Sequence, residues 1–334
     1  MTGESLFKHT ARRTVLLSIL TFALALMISN AIIGGEDVMA QTSTGNAAQL
    51  LEQGKPLKRQ AGEGEIHSFR INVKASEFLH ISVRQLGVNV AATLITPDGT
   101  KVLEADTPRS MQEAEWLSYV ANTSGEYRVE IRTVDKGVPA GSYQIEILEQ
   151  RKSAADDEAR LTAQKTFADG NSLYQQKNYR GAIDKYKEAL HLYRASARQT
   201  EVAVTLNCMA LSTYQISEFQ TAIDRYKEAL AIYRETNDLQ GEGYTLNELG
   251  DAYRSINRYD DALSSYEQAL QARRKADYRT GAGSTLYNFG VAYRALSQFD
   301  KALRYYEQAL TIFREVKARR DEGRALKDLG HTSK

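Results

Sequence analysis

An antiparallel β-sandwich followed by an α-solenoid of helical hairpins is the fold class that three observations predict. The chain opens with basic and then apolar residues, its middle alternates apolar with polar positions, and its second half repeats every 40 residues. The expected division is residues 1–40 for an export segment, 41–150 for the sandwich and 151–334 for the solenoid. A composition of 42% hydrophobic and 25% charged residues over 334 positions is globular and leaves room for two domains.

Lys8, Arg12 and Arg13 precede an apolar run from Val15 to Ile33, and Val38-Met39-Ala40 supplies the small residues that signal-peptidase cleavage needs. Export to the periplasm or the outside of the cell is therefore expected. The run contains Ser18, Thr21, Ser29 and Asn30 but is near bilayer-spanning length, so an uncleaved membrane anchor is the competing reading. Arg12-Arg13 has the pair of a twin-arginine signal without its flanking residues. Cys208 is the only cysteine, which excludes an internal disulfide framework, and its apolar surroundings make it a small buried hydrophobe.

From about Gln49 to Gln150 the period is two. Phe69, Ile71 and Val73, then Leu79, Ile81 and Val83, then Tyr127, Val129 and Ile131, then Tyr143, Ile145 and Ile147 alternate with polar residues as half-buried strands do. Pro97-Asp98-Gly99 and Thr123-Ser124-Gly125 mark turns, and Trp116 or Leu117 is expected in the core. The succession Gly64-Glu65, the Leu94 strand into Pro97-Asp98-Gly99, Ser124-Gly125-Glu126-Tyr127 and Gly141-Ser142-Tyr143 resembles the bacterial pre-peptidase C-terminal domain. That resemblance implies a non-catalytic accessory domain on an exported protein, some of whose relatives bind calcium. No cluster of carboxylates matches a calcium loop, so Asp98 reads as a turn residue. Asn122-Thr123-Ser124 has the pattern of a glycosylation acceptor, but it falls in a turn of a domain of bacterial type and is read as turn alone. Ser153 is expected to cap the first helix of the solenoid after a short tether.

In the solenoid Gly170, Ala210, Gly250, Gly290 and Gly330 stand 40 residues apart. Four further columns keep that spacing: Tyr179, Phe219, Tyr259, Phe299; Ala182, Ala222, Ala262, Ala302; Tyr186, Tyr226, Tyr266, Tyr306; and Ala189, Ala229, Ala269, Ala309. Within a unit, Leu246, Leu249, Gly250 and Tyr253 line one face of a helix A. Tyr179, Ala182, Tyr186, Ala189 and Leu190 line a face of helix B, and Ser255 to Asp260 is a polar turn between such helices. Small residues at Gly250 and Ala262 let the pair approach, with Tyr259 and Tyr266 filling the space beside them.

These columns resemble the tetratricopeptide repeat from about Asp156 onward, in a long form like that of kinesin light chains, with the extra residues expected in helix B and the segment after it. The first unit departs, having Thr166 and Asp169 where Leu246 and Leu249 stand later, as terminal units do when something else caps them. Four full repeats and a fifth helix A are expected. That last helix is polar enough to cap, yet Ala325, Leu326, Leu329 and Gly330 keep the internal packing pattern.

No catalytic constellation is found. His9, His67, His80, His191 and His331 are scattered, no phosphate-cradling glycine loop follows a strand, and paired acids such as Asp260 and Asp261 open a helix, where its dipole favours them. The expected activity is thus binding without catalysis, and no cofactor or metal is implied. A net charge of +1 argues against a general nucleic-acid binder, and the basic run from Arg314 to Lys327 reads as a solvated helix surface.

The resemblance places a peptide or protein partner on the inner wall, on the face of each helix A about 100° from its packing face. The candidate residues there are Asn171, Tyr174, Asn207, Tyr214, Asn247, Asp251, Arg254, Tyr287 and Arg294. A carboxamide both donates and accepts, so Asn207 and Asn247 suit a peptide backbone. Arg254 and Arg294 suit a carboxylate, and Tyr174 and Tyr214 form an aromatic shelf. Such a sandwich ahead of such repeats also resembles the front part of caspase-like CHAT peptidases. The competing reading is therefore the recognition arm of such a peptidase, whose His and Cys dyad is not in this sequence.

Overall fold

The computed structural model describes residues 48–106, 114–134 and 141–333. The apolar run of the expected export segment lies outside them. Nine strands are described: β1 (Gln49–Leu50), β2 (Leu57–Ala61), β3 (Ile66–Val73), β4 (Glu77–Leu86), β5 (Val90–Ile95), β6 (Lys101–Ala105), β7 (Ala114–Val120), β8 (Gly125–Thr133) and β9 (Gly141–Lys152). They form two sheets, ordered β1-β3-β8-β5-β6 and β2-β9-β4-β7. All described pairings between strands are antiparallel except that of β1 with β3. The alternating residues meet between the sheets, where Ile71, Val83, Val129 and Ile145 are buried, and the register sets Phe69 opposite Val129.

The Pro97-Asp98-Gly99 turn is closed by Gly99 N–H on Thr96 O at 2.9 Å, with Gly99 at φ +86°, a conformation that costs glycine little. Hydrogen bonds from the Thr96 hydroxyl and from Thr100 hold the Asp98 carboxyl below its usual range. Leu117 lies in the sandwich core, whereas Trp116, one residue before it, points the opposite way and packs with the first repeat.

Nine helices follow among the described residues: α1 (Asp157–Gln175), α2 (Tyr179–Ala195), α3 (Gln199–Gln215), α4 (Phe219–Glu235), α5 (Leu239–Ser255), α6 (Tyr259–Lys275), α7 (Arg279–Ala295), α8 (Phe299–Glu315) and α9 (Arg319–Thr332). Odd-numbered helices are the A helices. The sequence gives each repeat 40 residues, and the backbone divides that period in two. Lys177, Ala197, Ser217, Asn237, Asn257, Asp277, Ser297 and Lys317 all take positive φ, between 52° and 64°, at every connection. At each, the helix closes with its last carbonyls paired, as where Lys177 N–H donates to Tyr174 O and Asn178 N–H to Leu173 O, both at 2.9 Å. The segment after helix B is therefore no longer than the one after helix A, contrary to expectation.

Two further expectations are corrected. The N-terminal cap of α1 is Asp156, and Asp157 instead takes Ala154 N–H on its carboxylate at 2.7 Å, while Ser153 N–H donates to Ser76 O. Tyr259 sits half-exposed at its turn with its hydroxyl on Asn257 at 3.0 Å, leaving Tyr266 to fill the space beside Gly250.

A Cβ on Gly250 would lie 2.4 Å from the Tyr266 ring, and Gly170 and Gly290 meet Tyr186 and Tyr306 in the same way. Gly250→Val is accordingly expected to cost about 1–3 kcal/mol by overpacking. The same change at Gly330, which has nothing within 4 Å of a built Cβ, is expected to cost less than half of that, both read by urea unfolding. At α9, Ala325 is buried while Leu326 remains 43% exposed.

The outer face of the β2-β9-β4-β7 sheet is not left to water. Phe78 is fully buried beneath the guanidinium groups of Arg160 and Arg151, 4.1 and 4.8 Å from its ring. Trp116 meets Phe167 at 6.3 Å between ring centres. Gln164 accepts from Ser118 N–H at 2.7 Å, using a side-chain amide to cover the edge of β7. Further along, Gln240 donates to Gln85 O at 2.5 Å and Arg84 reaches Asp238 at 3.5 Å. The sheet thus lies against the starts of α1, α3 and α5, and the atypical first repeat is the one most covered by it.

Candidate functional site

The inner-wall positions fall on the A helices in consecutive repeats, and the structure separates them by depth. Asn171, Asn207, Asn247 and Tyr287 are buried. The Asn171 carbonyl oxygen accepts from the Tyr186 hydroxyl at 2.8 Å. Asn207 donates to the Thr245 hydroxyl at 2.9 Å, and that hydroxyl lies 3.3 Å from the Asn207 carbonyl oxygen. Both ends of this carboxamide are engaged between α3 and α5, so in this structure it is not presented to a peptide. Tyr287 donates its hydroxyl to Asp328, and Arg324 covers its ring at 4.2 Å.

Asn247, Asp251 and Arg254 are brought together with Glu248 and Asn288. Asn288 donates to Asn247 and to Asp251, both at 3.2 Å, while Asn247 donates to Glu248 at 3.1 Å. Asp251 also accepts from the Tyr266 hydroxyl at 2.7 Å and from Arg254 at 3.1 Å. Arg294 is more open, its side chain 39% exposed and 3.9 Å from Asp328. Tyr174 and Tyr214 lie half-buried at the far ends of their helices, edge-on to Tyr179 and Phe219, and the Tyr214 hydroxyl meets Ser255 at 2.8 Å. Each of these two repeats thus carries its own ring pair.

Glu248, Asn288 and Asp328 are wall residues that the sequence reading passed over. They occupy one column, spaced 40 apart, beside the column that was named. Burial first, and then the Asp251 carboxylate, pushes Glu248 up to about 7. Arg273 lies behind it, buried, with one nitrogen on Gly281 O at 2.6 Å and the Thr285 hydroxyl at 2.7 Å. Burial draws its guanidinium below its ordinary value. The signal for Arg273 was legible, because its column is otherwise aromatic: Tyr193, Tyr233 and Phe313.

Among the described residues no group of three or more His, Cys, Asp or Glu side chains could hold a metal ion. Cys208 is buried. Nor is any helix among them long and apolar enough to cross a membrane.

Paired helices stacked at a fixed period, with a polar inner wall on every first helix, define an α-solenoid. Residues 201–275 and 281–332 match the sequence model of the tetratricopeptide repeat. Among solved structures the chain is similar to BtubC (BKLC) from P. vanneervenii, at 17% identity and a TM-score of 0.45 over 54% of this chain and 84% of that one. It is also similar to a Rap protein complexed with competence and sporulation factor, at 22% identity and TM-score 0.46, covering 51% of this chain and 48% of that one. A third is a signal-transduction ATPase with a tetratricopeptide repeat sensor from Pyrococcus horikoshii, at 18% identity and TM-score 0.47, covering 50% of this chain and 26% of that one. The chain therefore spans less than half the length of the latter two. No curated protein matches it.

Proposed function

We propose that this chain is an exported, non-catalytic scaffold that takes a peptide or protein partner on the inner wall of its repeats. The observation that carries this reading is the contrast between faces of the same helices. Columns that pack helix on helix repeat the same residue types, whereas the wall changes from repeat to repeat and keeps charged, half-exposed side chains such as Asp251, Arg254 and Arg294. A surface that only packed would have no use for that variety. Arg254, with one nitrogen on Asp251, and the more open Arg294 suit an acidic group of the partner.

The test places a photocrosslinking amino acid at Arg294 or, on the outer helix α2, at exposed His191, in the full chain expressed in its own cell. Covalent capture from position 294 and none from 191 is expected, in cells whose mature chain begins at Gln41. Equal capture from both positions removes the wall from the argument, and an intact Met1 in the membrane fraction replaces the cleaved signal with an anchor.

A further inference from the structure

A second site lies away from the middle of that wall, where the outer face of the β2-β9-β4-β7 sheet meets the first turns of α3 and α5. A cavity of about 310 Å³ opens there, lined by His80, Trp116, Glu146, Glu201, Tyr233 and Tyr244 among others. Its volume is that of a small ligand pocket, roughly 300 Å³ at the lower end.

The charges around it do not cancel. Arg198 is held by Glu149 at 2.7 Å and Arg84 faces Asp238 at 3.5 Å. That leaves the carboxyl groups of Glu146 and Glu201, neither of which has a Lys or Arg partner within 4.0 Å among the described residues. Glu201 is only 8% exposed. Burial raises the Glu201 carboxyl in spite of its own backbone N–H and the charges of Arg198 and Arg160, and a cationic ligand seated in the cavity would offset that cost. His80 does not fill this role. Its Nε2 is 3.6 Å from Glu201, but burial first, and then Arg160 and Arg198, lowers it to about 4, so the imidazole is neutral at pH 7. Trp116, Tyr233 and Tyr244 add aromatic rings, whose faces attract cations.

We propose that this cavity binds a cationic amine or guanidine, carried either by a small molecule or by a Lys or Arg side chain of a peptide. The site does not depend on the inner-wall reading, and either can fail alone.

Trp116 is the only tryptophan of the chain and lines the cavity, so its fluorescence reports occupancy. The full chain is titrated with butylamine, with agmatine, with the blocked peptide acetyl-Ala-Lys-Ala-amide, and with butyrate as a control of similar size and opposite charge. A saturable change with at least one cationic probe and none with butyrate is expected, weakened at least tenfold in both Glu146→Gln and Glu201→Gln. Saturation by the peptide alone assigns the cation to a side chain, and saturation by the free amines alone assigns it to a small molecule. No saturation by any cationic probe, an equal response to butyrate, or unchanged affinity in both variants overturns the site. Should a variant lose its helical circular dichroism, the comparison of cationic probes with butyrate on the unaltered chain still decides.

Discussion

Arg160→Ala is expected to separate the sandwich from the repeats, lowering stability by about 3–5 kcal/mol and splitting one calorimetric transition into two. Arg160 is 4% exposed and holds three groups at once. Its nitrogens donate to Glu149 at 2.9 and 3.0 Å and to Asp157 at 3.3 Å, and its guanidinium plane covers Phe78. Glu149 in turn receives Arg198 at 2.7 Å from the start of α3, so the network ties β9 to two successive A helices. Alanine leaves these carboxylates short of a partner and opens Phe78 to water. Arg160→Met keeps the stem over the ring and is expected to lose less, which separates packing from charge.

Acid acts on the same seam. Burial alone would raise Glu149, but hydrogen bonds from Arg160 and Arg198 outweigh it and bring the carboxyl down to about 2. A folded value below the unfolded one means stability that is complete above the ordinary carboxylate range and is lost as pH falls through about 2. Wild type is therefore expected to melt progressively earlier between pH 5 and 2. Arg160→Ala should flatten that slope; an unchanged slope and a single transition within about 1 kcal/mol of wild type would assign the coupling elsewhere.

The seam shows where sequence reading stops. The solenoid was legible because its packing is local: each helix touches those one or two connections away, so a period along the chain becomes a period in space. Gly250 facing Tyr266 follows from their columns. The seam joins Glu149 to Arg198 and Gln85 to Gln240, positions with no common period, and no alternation announces that Phe78 and His80, on the outer face of β4, are covered by α1 and α3. Of Trp116 and Leu117, both offered for the core, Leu117 lies there and Trp116 turns away, because period two gives the alternation and not which face another layer will cover. On the wall, a helical wheel gave the direction of Asn171, Asn207 and Asn247 but not their depth. Their amides are engaged by hydroxyl and amide groups on neighbouring helices, which only the structure sets side by side. Arg273 was legible as a break in an aromatic column, and a column break is the signal that points to the wall of repeats three and four.

At that wall, Glu248→Gln is expected to stabilise the chain at pH 8 by about 3 kcal/mol and to leave stability at pH 4 unchanged. Burial, then the Asp251 charge, raises the Glu248 carboxyl from 4.5 to about 7. A folded value above the unfolded one means stability that is complete below about 4.5 and is lost as pH rises through about 7. Glutamine keeps the acceptor for Asn247 and removes the charge, so it should abolish this loss. Asp251→Asn, which relieves the repulsion and keeps the carboxyl, should recover only part of it. Urea unfolding at both pH values reads the difference, and equal stability of Glu248→Gln and wild type at pH 8 refutes it. The sign bears on function. A side chain that lowers stability at neutral pH while facing the inner wall is of use if something binds there and of none if the wall only packs. Glu248→Gln should therefore raise the unfolding midpoint and lower crosslinking from position 294 in the same chain. A stabilised variant that captures as well as wild type would leave Glu248 a packing residue and move the contact toward Arg294.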